Sequence, residues 1–158
     1  MNIYLLRHGQ AERSADKDSL RNLTPSGVED IKVLARTFAT MDLTIDRCFA
    51  SPYHRAQQTA ELFLSGSSLA CSIESNAALR PDNSPVKTIR LLEEADKTSN
   101  ILLVGHNPFL SELYGMLTLA NSDYGIKTLA AGELCGIHFD LFGLGLGREV
   151  LNMPPGKN

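Results

Sequence analysis

Two histidines and two arginines in this chain are the residue types that phosphoryl transfer asks for. They are Arg7 and His8 in Arg7-His8-Gly9, then Arg55, then His106. A phosphoryl group in flight spreads negative charge over three oxygens. Arginine answers that charge with a planar, permanently ionised fork of donors. A neutral imidazole, with an ordinary pKa of about 6.5, is a competent nucleophile near neutral pH. Its second nitrogen must then carry the proton and be held by an acceptor, which fixes tautomer and aim. Water can attack the phosphohistidine that forms and release phosphate. Taken singly, each residue has a plain explanation. A lone histidine is more often a hydrogen-bonded structural residue, and a lone arginine is usually a surface charge. The question is whether the chain brings the four together.

The hydrophobic pattern says that it does. Asn2–Leu6 (NIYLL) reads as a buried strand, and Val28, Ile31, Leu34, Ala35 and Phe38 recur at helical spacing over a helix from Pro25 to about Met41. Arg47–Ala50 reads as a short strand, Pro52 to about Leu64 as a helix, and Ala70–Glu74 as a strand. Val86–Asp96 follows as a helix, Ile101–Gly105 (ILLVG) as a continuous apolar strand, and Pro108–Ala120 as a fourth helix. Leu134–Leu141 and Arg148–Asn152 form a closing hairpin around the glycine-rich FGLGLG. Strands alternating with helices predict an α/β three-layer sandwich, a largely parallel central sheet flanked by helices, over one domain spanning 1–158. Continuous apolar strands fit a sheet covered on both faces. Ligands of such sheets bind outside the carboxyl ends of the strands. Arg7-His8, Arg55 and His106 each fall just after a strand, so all four converge on that edge. Thr24-Pro25, Ser51-Pro52 and Asn107-Pro108 each pair a good N-cap with proline at the first helical position. Helix N-termini placed there suit an anion.

Composition narrows the classes. The net charge of −3 argues against general nucleic-acid binding, although Arg7, Arg13, Lys17 and Arg21 crowd one early segment and suggest a local positive funnel for an anion. The apolar start is cut short by Arg7 and His8, which does not fit a signal peptide, and no stretch approaches the roughly 20 apolar residues of a membrane helix. Cys48, Cys71 and Cys135 are odd in number and lack a Cys-x-x-Cys spacing, which points to reduced, mostly buried thiols in a cytoplasmic protein. No feature demands more than a monomer. A metal held by His8, His54 and His106 is conceivable, but no carboxylates stand at ligand spacing and two arginines would repel a cation. No cofactor is expected. His54 reads as a surface residue and His138 as a structural one.

Three segments carry a family resemblance: Arg7-His8-Gly9 after the first strand, Ser51-Pro52-Tyr53-His54-Arg55-Ala56-Gln57-Gln58-Thr59, and Val104-Gly105-His106-Asn107-Pro108. Together they resemble the three signatures of the histidine phosphatase superfamily, which contains the phosphoglycerate mutase-like enzymes. The resemblance implies His8 as nucleophile, Arg7 and Arg55 as phosphate clamps, and His106 as a further phosphate contact. Within the superfamily the chain is most similar to the small SixA-type phosphohistidine phosphatases. Asp18-Ser19-Leu20-Arg21-Asn22-Leu23-Thr24 looks like their Asp-x-x-Arg-Pro-Leu-Thr segment, with Asn22 where proline is usual. Arg21 is then a further substrate contact. The mutase pattern is broken in two places, at Ser14 and at Leu79-Arg80-Pro81, where mutases carry an asparagine and a glutamate acid. There is also no room for the long cap that encloses small substrates in many relatives. The resemblance implies hydrolysis of a phosphohistidine on a partner protein of phosphocarrier or histidine-phosphotransfer type, without metal. Asp18 is the candidate acid for the leaving group, with Asp82 as the fallback. The rivals are a phosphatase of small phosphate esters and a silent module that binds phosphorylated partners.

Overall fold

The computed structural model describes residues 1–118 and 127–156. The chain begins on strand β1 (Asn2–Arg7), followed by helix α1 (Pro25–Ala39), strand β2 (Arg47–Ala50) and helix α2 (His54–Gly66). Strand β3 (Ile73–Ser75), helix α3 (Val86–Glu93), strand β4 (Asn100–Gly105) and helix α4 (Phe109–Thr118) come next. Strands β5 (Leu134–His138) and β6 (Arg148–Met153) close the sheet. The six strands lie in the order β3-β2-β4-β1-β5-β6. The first four in that order are mutually parallel, and β5 and β6 are antiparallel additions.

The alternation of side chains along the central strands builds the layers. Ile3 and Leu5 of β1 and Ile101 and Leu103 of β4 face one core, with Ile89 and Leu92 of α3 and Leu110, Leu113 and Leu117 of α4. Tyr4, Leu6, Leu102 and Val104 face the other, with Ile31, Leu34 and Phe38 of α1 and Ala56, Ala60 and Phe63 of α2. Each strand is apolar on both faces because each face is covered. This is the three-layer α/β sandwich that the sequence predicts.

Two helix starts differ from expectation. Thr24 caps α1 as predicted, its hydroxyl accepting from Gly27 N–H at 3.0 Å, with Pro25 at the first position. Ser51-Pro52 does not start α2, whose N-cap is Tyr53 with no side-chain cap. Ser51 instead places its hydroxyl 2.8 Å from His106 Nε2. Asn107-Pro108 is a cis peptide, and α4 begins one residue later at Phe109. Ala120, the predicted end of α4, lies outside the described residues. The strand predicted at Ala70–Glu74 forms later, at Ile73–Ser75. Two single 3-10 turns, Asp18–Leu20 and Ala77–Leu79, have no sequence periodicity to announce them. Among the described residues, no helix is long and apolar enough to cross a membrane.

Candidate functional site

Strand register sets the site. Arg7 of β1 lies opposite Gly105 of β4, and Val104 lies opposite Ala50 of β2. The residues one step beyond these three strand ends are therefore neighbours: His8, His106 and Ser51. The His8 and His106 rings lie 5.0 Å apart, centroid to centroid. The backbone continues the sheet for one more bond each way, with His8 N–H donating to Gly105 O at 3.0 Å and Ser51 N–H to Val104 O at 2.9 Å. The loop after β1 then turns sharply against α1. A side chain at Gly9 would meet Gly27 O and Ile31 at 3.0 Å, and one at Gly27 would collide with the Gln10 backbone. Gly9 N–H donates to Thr59 Oγ1 at 3.1 Å, and Thr59 Oγ1 donates to Arg55 O at 2.6 Å. One hydroxyl on α2 thus ties the position of His8 to that of Arg55.

His8 has the tautomer that nucleophilic attack needs. Its Nδ1 lies 2.8 Å from Gly9 O, a pure acceptor, so Nδ1 carries the hydrogen. Its Nε2 receives Arg55 Nε–H at 3.2 Å, which places the lone pair on Nε2. Burial pushes the His8 pKa down to about 4; the Gly9 carbonyl opposes this, and the positive charges of Arg55, Arg7 and Arg21 add to it. Burial, then His8 and Arg55, push His106 down to about 3. Both rings are therefore neutral at physiological pH.

Arg55 is buried, its side chain 5% exposed, and each of its three guanidinium nitrogens makes a hydrogen bond. Beyond His8, it donates to the Asp18 main-chain oxygen at 2.6 Å and to Asp18 Oδ2 at 3.0 Å. Arg21 donates to the other oxygen of the same carboxylate, Oδ1, at 2.8 Å, and also to Glu12 O. Arg21 and then Arg55 hold the Asp18 carboxyl below its ordinary pKa, so Asp18 is the anion in this state. Its side chain is 54% exposed. The loop is less basic than its arginines suggest, because Glu12, Asp16 and Asp18 offset Arg13, Lys17 and Arg21.

Arg7 occupies the opposite side. Its Nη1 donates to Leu129 O at 2.7 Å, an oxygen that also accepts from Asn107 Nδ2 at 2.9 Å. Burial lowers the Arg7 pKa and the nearby Glu133 carboxylate opposes that shift. Three buried polar atoms here find no partner among the described residues: Arg7 Nε, His106 Nδ1 and Asn107 Oδ1. His106 packs edge-on to Tyr53 at 5.0 Å, and Arg55 lies over the same tyrosine ring at 4.9 Å.

The structure thus gathers His8, His106, Arg55, Asp18 and Arg21 by direct contact, with Arg7 on the flank. Asp82 is exposed and makes no hydrogen bond or ion pair with another described residue. His54 is exposed, and His138 bonds Asn2 and Asp140, away from the site. The described residues hold no group of three or more His, Cys, Asp and Glu side chains arranged for a metal. The three cysteines are unbridged, with Cys48 and Cys135 buried. Sequence reasoning missed two residues. Ser51 was read as a helix cap, although its place one residue after a strand pointing at the site was a usable signal. Glu133, buried beside Arg7 and accepting from Ala130 N–H at 2.7 Å, had none.

Comparison with known proteins bears on family and fold. Residues 3–80 match the histidine phosphatase superfamily (branch 1). The chain is 31% identical over 136 residues to an uncharacterized protein of Picosynechococcus, covering 84% of this chain and 82% of that one. It is 28% identical over 123 residues to the phosphohistidine phosphatase SixA of Escherichia coli, covering 74% of each. A solved protein histidine phosphatase SixA, complexed with tungstate, has the same fold at a TM-score of 0.88 and 24% identity, covering 98% of this chain and 97% of that one. An alpha-ribazole phosphatase from Shigella flexneri shares the fold at a TM-score of 0.73, with 20% identity and 100% of each chain covered.

Proposed function

We propose that this chain, which belongs to the histidine phosphatase superfamily, hydrolyses phosphohistidine on a partner protein through a covalent phosphohistidine on His8. The observation that carries the reading is the state of the His8 ring. Its Nδ1–H is committed to Gly9 O, and its Nε2 lone pair sits 3.2 Å from a guanidinium that would draw in a phosphoryl oxygen.

The steps follow from these residues. The phosphoryl group enters between Arg7, Arg55 and His106, and its oxygens take over donors that are unpartnered or held by Asp18. His8 Nε2 attacks phosphorus as the P–N bond to the substrate imidazole breaks. The Gly9 carbonyl stabilises the imidazolium formed on His8. An alkoxide leaving group is strongly basic, near the pKa of about 15.7 of bulk water, whereas imidazole at roughly 6.5 leaves with little help. Asp18 supplies that help: once phosphate has taken Arg55, the carboxyl loses an ion pair, meets a nearby anion and gains basicity. It can then take a proton from solvent water and pass it to the departing ring, which leaves as neutral imidazole. Water next attacks phosphorus, the P–N bond to His8 breaks, and inorganic phosphate leaves with His8 neutral again. Arg21 holds the loop and lends charge. The arginines supply the positive field without a metal, and one copy carries the whole set, so the chain works as a monomer.

A protein substrate fits a site whose rim, Asp18, is half open to solvent. The E. coli relative named as a phosphohistidine phosphatase supports the same choice. The decisive measurement compares kcat/KM on a phosphorylated histidine-phosphotransfer domain or phosphocarrier with kcat/KM on simple alkyl phosphates. The proposal expects the phosphohistidine protein to be preferred, with no effect of chelators. Efficient turnover of alkyl phosphates would move the reading to the small-ester phosphatases that share the fold. Tight binding of the phosphoprotein without turnover would make the chain a binding module.

A further inference from the structure

The two nitrogens of His106 have opposite surroundings. Nε2 lies 2.8 Å from Ser51 Oγ, whereas Nδ1 is buried without a partner among the described residues. The ring is neutral, so one nitrogen carries the hydrogen and the other a lone pair. Ser51 decides which. It is completely buried, and its hydroxyl hydrogen has no other acceptor among the described residues. Its oxygen already takes a long contact from Tyr53 N–H at 3.5 Å. Were Nε2–H to donate to Ser51, the hydroxyl hydrogen would be stranded in a dry site and Nδ1 would present a bare lone pair. Stranding a buried donor is unfavourable, and a lone pair would repel an anion. With the hydroxyl donating to Nε2, the Ser51 hydroxyl and His106 Nε2 satisfy each other and only Nδ1–H of the pair is left over, beside Arg7 Nε and the acceptor Asn107 Oδ1. That Nδ1–H is then a donor, as is the buried Arg7 Nε, and two unpartnered donors call for an anionic ligand.

We propose that Ser51 is a positioning residue: its hydroxyl donates to His106 Nε2 and so places the ring hydrogen on Nδ1, where it donates to an oxygen of the bound phosphoryl group. The inference rests on the phosphatase reading for its ligand, but Ser51 acts through His106 and touches no substrate. His8 and His106 would then share one tautomer, set by Gly9 O in one case and by Ser51 in the other, with opposite uses. His8 offers its Nε2 lone pair to phosphorus once Arg55 Nε–H turns to the phosphoryl oxygen, and His106 offers its Nδ1–H to oxygen.

The test uses the full chain labelled with nitrogen-15 histidine, as wild type, Ser51→Ala and Ser51→Thr, with and without tungstate. Nitrogen-15 shifts report the tautomer of His106 directly, and titration gives the tungstate affinity. The wild type should show His106 protonated on Nδ1. Ser51→Ala should let the Nε2–H form appear, and if the competent tautomer falls to one in ten, tungstate affinity drops about tenfold. Ser51→Thr, which keeps the hydroxyl, should restore both. An Nε2–H ring in the wild type overturns the proposal, as does an unchanged tautomer in Ser51→Ala. If Ser51→Ala folds poorly, the wild-type tautomer and the threonine variant still decide. Should the wild type hydrolyse no phosphate compound at all, the phosphatase reading falls while the tautomer measurement still judges Ser51.

Discussion

The two flanks of the site are in different states. On the loop flank, each guanidinium nitrogen of Arg55 already makes a hydrogen bond, to Asp18 or to His8. On the strand flank, Arg7 Nε and His106 Nδ1 are buried and unoccupied. The strand flank is fixed by the register of β1 against β4 and by buried contacts to Leu129 and Ser51. The loop flank hangs on a half-exposed aspartate at a three-residue turn. The difference teaches that one side is a preformed cradle and the other a contested clamp. Substrate fills vacant donors on the first and must displace a carboxylate on the second.

The largest effect should come from the residue between the flanks. His8→Ala removes the attacking nitrogen and should lower turnover by ~10⁴-fold or more, in line with loss of a nucleophile elsewhere. Acid-labile, base-stable phosphate should be trapped on the wild type and absent from the variant. Substantial activity in His8→Ala would end the covalent mechanism and leave the comparison of flanks a matter of binding alone.

Arg7→Ala and Arg55→Ala test the flanks against each other. Each removes charge-assisted hydrogen bonds to the phosphoryl group, and kcat/KM should fall by ~10²- to 10³-fold. Lysine should rescue neither, because it lacks the planar fork. Their stabilities should differ. Arg7→Ala removes one of the two cations beside the buried Glu133, Lys127 at 4.0 Å being the other, and should cost about 1 kcal/mol in urea denaturation. Arg55→Ala releases the exposed Asp18 to water and should cost less than Arg7→Ala. Equal stability losses would mean that the loop flank is as fixed as the strand flank.

Much of this site was legible in the sequence, for a physical reason. Arg7-His8, His106 and the β2 end lie where apolar runs stop, and parallel strands bring such stops to one edge. The resemblance of the three motifs named the same residues. What was hidden is what depends on partners far along the chain. Asp18 meets Arg55 across 37 positions, and nothing in Asp18-Ser19-Leu20-Arg21 announces that pairing. Ser51 before Pro52 predicts a helix cap, because capping patterns are local; its contact with His106, 55 positions away, has no local pattern to announce it.

The titration of the two rings should come next in size. Both pKa values are depressed, to about 4 and about 3, from an ordinary 6.5. The unfolded chain therefore binds more protons than the folded one just below pH 6.5. The stability contributed by the neutral rings is full above that value and is lost as pH falls through about 4 and then about 3. NMR titration should find His8 neutral at pH 5.5, and tungstate should raise both midpoints by cancelling the arginine field. Ordinary midpoints near 6.5 would show that neither flank is as dry as it looks.

The smallest expected effect is the sharpest for the comparison: Asp18→Asn. In the present state the Asp18 carboxylate and main-chain oxygen take the same Arg55 N–H groups that an incoming oxyanion needs. Asparagine keeps the main-chain bond but removes the charge, so the competitor weakens while the loop keeps its shape. Arg55 is buried but Asp18 is half exposed, and pairs open to solvent contribute about 0.2–1 kcal/mol, so tungstate should bind only about 1.4- to fivefold more tightly. Catalysis should move the other way if Asp18 also carries the leaving-group proton. The loss should then be greatest on alkyl phosphates and slight on phosphohistidine or aryl phosphates, whose leaving groups need little help. The two readouts separate the roles. Tighter tungstate with no leaving-group dependence makes Asp18 a competitor for the clamp alone. Leaving-group dependence with unchanged tungstate affinity makes it an acid that does not contest the clamp. Uniform loss on every substrate, with weaker tungstate, would make Asp18 the residue that holds Arg55 in place, and the loop flank would then be a cradle as well. Asp82→Asn is the companion variant. Asp82 is exposed and has no contact with the described site residues, so it should change neither readout. A leaving-group-dependent loss appearing there, and not in Asp18→Asn, would transfer the acid role to Asp82 and leave Asp18 to the clamp.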